Sequence, residues 1–399
     1  MNALSHPTNR AMFFGGFSCF ALLYCVQPLM PLLSHEFALS PAQASLSLSI
    51  STAAMAVALV ASSALSDRIG RKPLMVAALA IAALMTLLCA LAGNYGQLLA
   101  ARTLLGVALG GMPAIAMAYL GEEIEPGQLG LSMGLYISGS AFGGMVGRMA
   151  ASFLSDAYSW RVAMAAMGVA GVLAAFEFWR SLPASRRFYP RAAGWRAMPG
   201  AMRGHFADDG LPWLFALAFL LMGCMVSAYN YISYRLLAAP FELRQSVVGG
   251  ISLLYLLGIF SSVWAGKLAD RYGRKGVLYL VLGLMLAGIV LTLSAWLPAV
   301  LAGLALFTFA FFAAHSMTSS WVGRRARGAA LASALYLFFY YLGSSVIGWA
   351  AGVLWARAGW DGVVALLALC LLAAVAIALH LRRLTPIAPM LSQIKAEAG

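Results

Sequence analysis

Twelve apolar runs of about 20 residues leave this chain almost one way to fold, because that is the length of helix that crosses a ~30 Å hydrocarbon core. They cover residues 11–33, 43–65, 73–92, 97–120, 129–154, 162–179, 213–239, 247–268, 276–297, 298–322, 329–355 and 362–381. In lipid every backbone N–H and C=O needs an internal partner, so only helices and closed barrels span it. Barrel strands alternate apolar and polar residues over about 10 positions, and these runs do not alternate. The expectation is an all-α integral membrane protein with twelve transmembrane helices. A hydrophobic content of 62% with only 10% charged residues excludes an ordinary soluble domain of this length.

The net charge of +13 points at first to nucleic acid, but its placement follows the membrane. With the first run starting in the cytoplasm, 20 of the 26 basic residues fall on that side. They include Arg68, Arg71 and Lys72 after run 2, six arginines between Arg180 and Arg203 after run 6, and Arg324, Arg325 and Arg327 after run 10. Arg161, Arg244 and Arg357 are the 3 on the other side. This is the positive-inside asymmetry, and it places both termini in the cytoplasm. The charge is topological, and no nucleic-acid partner is expected.

The longest polar stretch is 181–211, with Pro183, Pro190, Pro199, Gly194 and Gly200. It divides the chain into a six-helix unit at 1–180, a cytoplasmic basic linker at 181–211, and a second six-helix unit with a short cytoplasmic tail at 212–399. Short helical pieces of the linker are expected on the inner leaflet, with arginines toward anionic headgroups. The two units repeat one another. Asp67-Arg68-Ile69-Gly70-Arg71-Lys72 returns 203 residues later as Asp270-Arg271-Tyr272-Gly273-Arg274-Lys275. Leu135-Tyr136 returns as Leu335-Tyr336, and Trp160 as Trp360. A shared offset near 200 indicates a parallel duplication about an axis along the membrane normal.

These loops resemble the signature G-x-L-A-D-R-x-G-R-K of the major facilitator superfamily. The second copy, from Gly266, fits throughout; the first has Ser63 in place of the leading glycine. The resemblance covers the whole chain and implies the two-bundle major facilitator fold of a secondary transporter. It implies that the loop latches the two bundles together in the outward-facing state, with Asp67 against the start of helix 11 near residues 327–329 and Arg71 against Glu122 or Glu123. Arg102-Thr103-Leu104-Leu105-Gly106 resembles the R-x-x-x-G motif of proton-coupled members. Gly139, Gly143 and Gly147 stand at the glycine-rich motif of the drug/proton antiporter-like efflux branch, with Gly143-Gly144 where that motif usually carries Gly-Pro. Spacing of four also lines small residues on one face for close helix packing, as do Gly106 and Gly110.

A charge inside hydrocarbon is a functional signal by default. Arg102 and Arg148 lie within runs 4 and 5 among small residues, so each has either a cavity or coupling role or a structural one, bonding backbone carbonyls. Arg235 lies near the outer end of run 7 and is expected to snorkel. No carboxylate lies in run 1, where Gln27 is the most polar core residue. Glu177, near the inner end of run 6, reads as a structural partner of Arg180. His315, deep in run 10, is either a buried structural histidine or a proton carrier. The superfamily resemblance places helices 1, 4, 7 and 10 around the cavity, which makes Tyr24, Gln27, Asn230, Tyr234, His315 and Tyr340 candidate contacts; tyrosines also populate interfacial belts.

The chain therefore reads as a transporter of a small molecule across the bacterial inner membrane by alternating access, with proton-coupled efflux as the resemblance implies. Uptake or symport of a small anionic or neutral metabolite is the alternative, and a non-transporting receptor is a further class. A membrane-embedded enzyme would need titratable groups clustered at one depth, whereas His6, His35, His205, His315 and His380 are scattered. The five cysteines lie in apolar runs without a CxxC pair, so no metal is expected, and without a G-x-x-x-x-G-K-[ST] loop no nucleotide or other cofactor is. Protons, a small-molecule substrate and the bilayer are the expected partners of a monomer.

Overall fold

The computed structural model describes residues 7–188, 198–326 and 329–383, and within them the chain is helical. Its helices are α1 (Pro7–Tyr24), α2 (Met30–Glu36), α3 (Pro41–Ile69), α4 (Arg71–Ala90), α5 (Tyr95–Leu109), α6 (Pro113–Glu123), α7 (Pro126–Ala157), α8 (Trp160–Ser181), α9 (Met198–Phe206), α10 (Leu211–Leu237), α11 (Gln245–Gly250), α12 (Leu257–Tyr272), α13 (Arg274–Leu291), α14 (Leu297–Arg325) and α15 (Ala329–Arg383). Ten stretches are long and apolar enough to cross a membrane, and the shorter Gly276–Leu291 adds an eleventh. The 55-residue α15 leaves helical geometry at Ala358 and Gly359 and so supplies two spans, which brings the described residues to twelve.

Several helix ends are written in the sequence. Ser40 accepts from the Gln43 amide while the Gln43 side chain accepts from Ser40 N, a capping box with Pro41 at the first helical position. Asn94 and Ser159 cap α5 and α8 by accepting from the Gln97 and Val162 amides. Each repeated charged loop is a one-residue hinge: Gly70 at φ 97° joins α3 to α4, and Gly273 at φ 84° joins α12 to α13. A side chain at either φ would be strained.

Hydropathy alone did not show the interruptions. Run 1 is two helices, with Gln27–Leu29 forming a 3₁₀ turn between α1 and α2, because Pro28 has no N–H to continue the ladder. Run 4 divides at Gly110 and Gly111 before Pro113, and run 8 passes through the 3₁₀ segment Ile251–Leu256.

Glycines set the closest helix approach. Gly139, Gly143 and Gly147 of α7 face Phe13, Phe17 and Ala21 of α1, and a Cβ at any of them would run into that backbone. Gly106 and Gly110 seat α5 on α3 at Ser51 and at Ala58 and Leu59 in the same way. The second half repeats the device, with Gly343 of α15 against the Phe219 carbonyl of α10.

Polar contacts between the halves gather at the end of the bundle away from the repeated loops. Thr52 shares a hydrogen bond with Ser345 at 2.7 Å, and Ser345 also reaches Ser49 O at 2.8 Å. Ser34 meets the Tyr234 hydroxyl at 2.8 Å, Gln245 donates to Pro28 O at 2.6 Å, and Arg244 pairs with Asp156 at 3.4 Å.

Candidate functional site

The site is built on the break in the first span. Interrupting the ladder after Tyr24 frees the Leu22 and Leu23 carbonyls, which need other donors. Arg102 supplies them. Its Nη1 donates to Leu22 O at 3.1 Å, its Nη2 to Leu23 O at 2.7 Å and its Nε to Ser47 O at 2.8 Å. All three nitrogens are used, the residue is 0% exposed, and Ser51 in turn donates to Arg102 O. Of the two roles the sequence left open for Arg102, the geometry is that of a brace tying α5 to α1 and α3. It does not line the pocket described below.

Arg148 of α7 is placed differently. It is 3% exposed, its Nε donates to Gln27 Oε1 at 2.5 Å and its Nη1 to Gly144 O at 2.6 Å. The guanidinium lies over the Tyr24 ring at 4.1 Å and the Tyr255 ring at 4.7 Å, one from each half. Cation–π contacts of this kind strengthen when water is excluded. Among the described residues no carboxylate pairs with Arg148, and its Nη2 has no hydrogen-bond partner.

Gln27 passes the contact to the other half. Its Nε2 donates to Asn230 Oδ1 at 2.6 Å and faces Val226 O at 3.4 Å. Asn230 is fully buried and its Nδ2 has no partner, nor does the Tyr24 hydroxyl. Beside this chain lies a small pocket, with Gln27, Arg148, Tyr229, Ser233 and Ser252 as its polar lining and Pro28, Ile232, Val248 and Ile251 as its apolar wall.

The other sequence candidates lie around this centre. Tyr234 stacks on Tyr231, packs at a tilt against Trp355 and bonds Ser34, so it belongs to the seam rather than the pocket wall. His315 bonds the Tyr336 hydroxyl through Nδ1 at 2.9 Å and packs against Phe311, Tyr336 and Tyr340, the last at 4.8 Å between ring centres. Arg235 reaches Ser294 O at 2.8 Å and so is a partial cap on the end of α13, not a free snorkelling side chain. Tyr255, Ser233, Ser252 and Gln245 were not singled out from sequence. The hydroxyl run Ser45, Ser47, Ser49, Ser51 and Thr52 was the available signal for the seam.

At the opposite end, Arg71 pairs with Asp67 at 2.7 Å and forks onto Glu122, with Nη2 to Oε1 at 2.7 Å and Nε to Oε2 at 3.2 Å. Bidentate geometry makes this one of the stronger kinds of ion pair. The linker begins on the same surface. Lys72 donates to Leu182 O, Tyr119 to Pro183 O at 3.0 Å and Arg187 N to Glu123 at 2.8 Å, while Arg71 lies 5.3 Å from the Phe188 ring. Glu177 bonds Ser181 at 2.5 Å and pairs with Arg10 at 3.3 Å and Arg180 at 3.6 Å. Arg68 is exposed. Arg327, expected near Asp67, lies outside the described residues, as do the side chains of Asp270, Arg274 and Lys275; Arg271 lies over Tyr272 at 5.2 Å. The linker's far end is pinned by Asp208, which accepts from Arg325 at 2.5 Å and from the Gly210 and Leu211 amides. Burial alone would raise the Asp208 carboxyl, but the Arg325 hydrogen bond and these amides hold it below the usual carboxylate range.

Comparison with known proteins fits this architecture. The family described as Major Facilitator Superfamily matches residues 12–347. The chain is 48% identical over 374 residues to the inner membrane transport protein YnfM of Escherichia coli (strain K12), covering 94% of this chain and 90% of that one. It is 45% identical to the MFS-type transporter YybF of Bacillus subtilis (strain 168), covering 94% and 93%. Its fold is similar to that of a bacterial homologue of the human lysosomal transporter Spinster in an inward-facing, occupied conformation, with a TM-score of 0.76 at 15% identity over 95% of this chain and 96% of that one. A twelve-span helical bundle, its repeated charged loops and these relatives together make the chain a multi-pass membrane transporter that belongs to the major facilitator superfamily.

Proposed function

We propose that this transporter carries a small anionic substrate past Arg148 by alternating access, exporting it in exchange for protons. The observation that carries the reading is a buried arginine without a carboxylate partner, held by residues of both halves beside a pocket. An uncompensated buried charge is costly, so it is kept where a ligand of opposite charge completes it. The moving bodies in this reading are residues 1–180 and 212–399, joined by 181–211. The polar seam from Ser34 to Tyr234 and from Thr52 to Ser345 supports a state closed on the side away from the repeated loops. With both termini in the cytoplasm of a bacterial inner membrane, that closed side is the outer one.

Direction follows from charge. An anion leaving and a proton entering both move with an inside-negative potential, each worth ~2.3 kcal/mol per 100 mV. His315, bonded to Tyr336 and packed at a tilt against Tyr340, is a histidine of the second half, and we assign it the proton step. Multidrug export is not favoured, since a cationic drug would meet Arg148. Uptake of the same anion with a proton is the competing reading, and it would move no net charge.

The test is transport by the purified protein in proteoliposomes, over a panel of small anions, with the pH gradient and the potential imposed separately. Export coupled to protons predicts that the potential alone drives the anion. Transport driven by the pH gradient and indifferent to the potential would favour symport. Transport of cations in preference to anions would remove the reading.

A further inference from the structure

We propose that the Gln27 side-chain amide is a stand-in for a substrate carboxylate, and that the substrate is a singly charged carboxylate with a small apolar body. This deepens the Arg148 reading and rests on it.

A guanidinium has donors only, so Gln27 can meet Arg148 only through Oε1. That fixes the amide, and Nε2 must then face Asn230 and Val226 O. Asn230 must present its oxygen in return, which leaves Asn230 Nδ2 buried without a partner. The orphan donor is thus a consequence of what Arg148 demands of Gln27. Nε and Nη2 form one edge of the guanidinium fork, the edge that takes a carboxylate through two parallel bonds. Gln27 fills it with one oxygen at Nε, and Nη2 has no partner among the described residues. A neutral one-oxygen group therefore occupies a place shaped for an anionic two-oxygen group.

The pocket adds the rest of the substrate. Its walls Pro28, Ile232, Val248 and Ile251 are apolar, Ser233 and Ser252 offer hydroxyls, and the enclosed space is small as it stands, which restricts the body beside the carboxylate to a compact, largely apolar one. A second negative charge meets no further cation among the described residues that line the pocket, and Arg102 is spent on three carbonyls. When a carboxylate takes Arg148, Gln27 loses its acceptor role and its hold on Asn230 is freed. That hydrogen bond joins the first span to α10, so occupancy is relayed from the site to the contact between the halves.

The experiment follows thermal unfolding of the purified protein in nanodiscs, with sodium butyrate or disodium succinate replacing chloride at constant ionic strength and pH. Butyrate is expected to raise the midpoint saturably and succinate to do so far less. Gln27→Glu places a permanent carboxylate on Arg148, and Asn230 can turn its orphan Nδ2 toward it. This variant is expected to unfold no earlier than wild type and to need more than about tenfold higher butyrate for half its effect. Gln27→Met removes the competitor and is expected to respond at lower butyrate than wild type; it keeps the test alive if the glutamate variant folds poorly. No wild-type response to butyrate, or an equal response to succinate, overturns the substrate class. A butyrate response that needs Arg148 but is unchanged in both Gln27 variants overturns the stand-in alone. A response that survives Arg148→Gln overturns the anion site itself.

Discussion

Replacing Arg102 with methionine tests whether a buried arginine is a brace or a binding group. The substitution keeps much of the volume and removes three hydrogen bonds, at 2.7, 2.8 and 3.1 Å, to Leu23 O, Ser47 O and Leu22 O. Leu22 O keeps the Cys25 thiol and Ser47 O keeps its place in the α3 ladder and the Ser51 hydroxyl, so Leu23 O is the acceptor left without a partner; that costs about 1–3 kcal/mol, and the two weakened carbonyls add about 1 kcal/mol each. Two effects reduce this loss. Side-chain hydrogen bonds measured inside membranes average only ~0.6 kcal/mol, and removing a buried charge without a counter-ion relieves its desolvation. A net loss of about 1–3 kcal/mol is expected. The assay is thermal unfolding of the purified variant, alongside its half-saturating concentration for a transported anion. The midpoint should fall clearly, while residual folded protein keeps its apparent affinity. Arg102→Lys should behave almost as badly, since one ammonium cannot span carbonyls on two helices. Wild-type stability with weakened anion binding would refute the brace and return Arg102 to the substrate site.

Asp67→Asn should leave stability within about 1 kcal/mol, because its pair with Arg71 is partly exposed and Arg71 keeps Glu122; transport should fall with expression unchanged, and wild-type turnover would mean that the loop only orients helices. His315→Gln keeps hydrogen-bonding capacity at Tyr336 and removes titration. Gradient-driven transport should lose its pH dependence while substrate-for-substrate exchange survives; an unchanged pH profile would make the histidine structural. Arg187→Cys, in a background without native cysteines, should resist an impermeant thiol reagent applied to intact cells and react once the membrane is opened. Labelling from outside would invert the proposed orientation.

The spans and the repeated loops were legible because they rest on local properties. Apolar length finds a helix without knowing its neighbours, and Gly70 and Gly273 mark turns by their own backbone needs. The glycines at 139, 143 and 147 could be read as a packing face, though not which helix they would seat. The site was only half legible. Arg102 and Arg148 share a residue type, a small-residue setting and a similar depth, so sequence left both roles open for each. What separates them is which carbonyls the break after Tyr24 sets free, and Pro28 carries that signal more than hydropathy does. Gln27 stood out as polar, but its partners Arg148 and Asn230 lie 121 and 203 residues away along the chain. Tyr255 was invisible for the same reason: only the assembled halves bring its ring over Arg148.

The most direct measurement of the central claim is anion transport and binding by Arg148→Gln and Arg148→Lys in proteoliposomes and nanodiscs. Both variants should insert and fold, since Arg148 braces no broken ladder. The glutamine variant should lose affinity for the transported anion by more than about tenfold, the scale of a lost charge-assisted hydrogen bond. The lysine variant should keep the charge but bind more weakly than wild type, because it lacks the fork. Anion transport at wild-type affinity in Arg148→Gln would contradict the account.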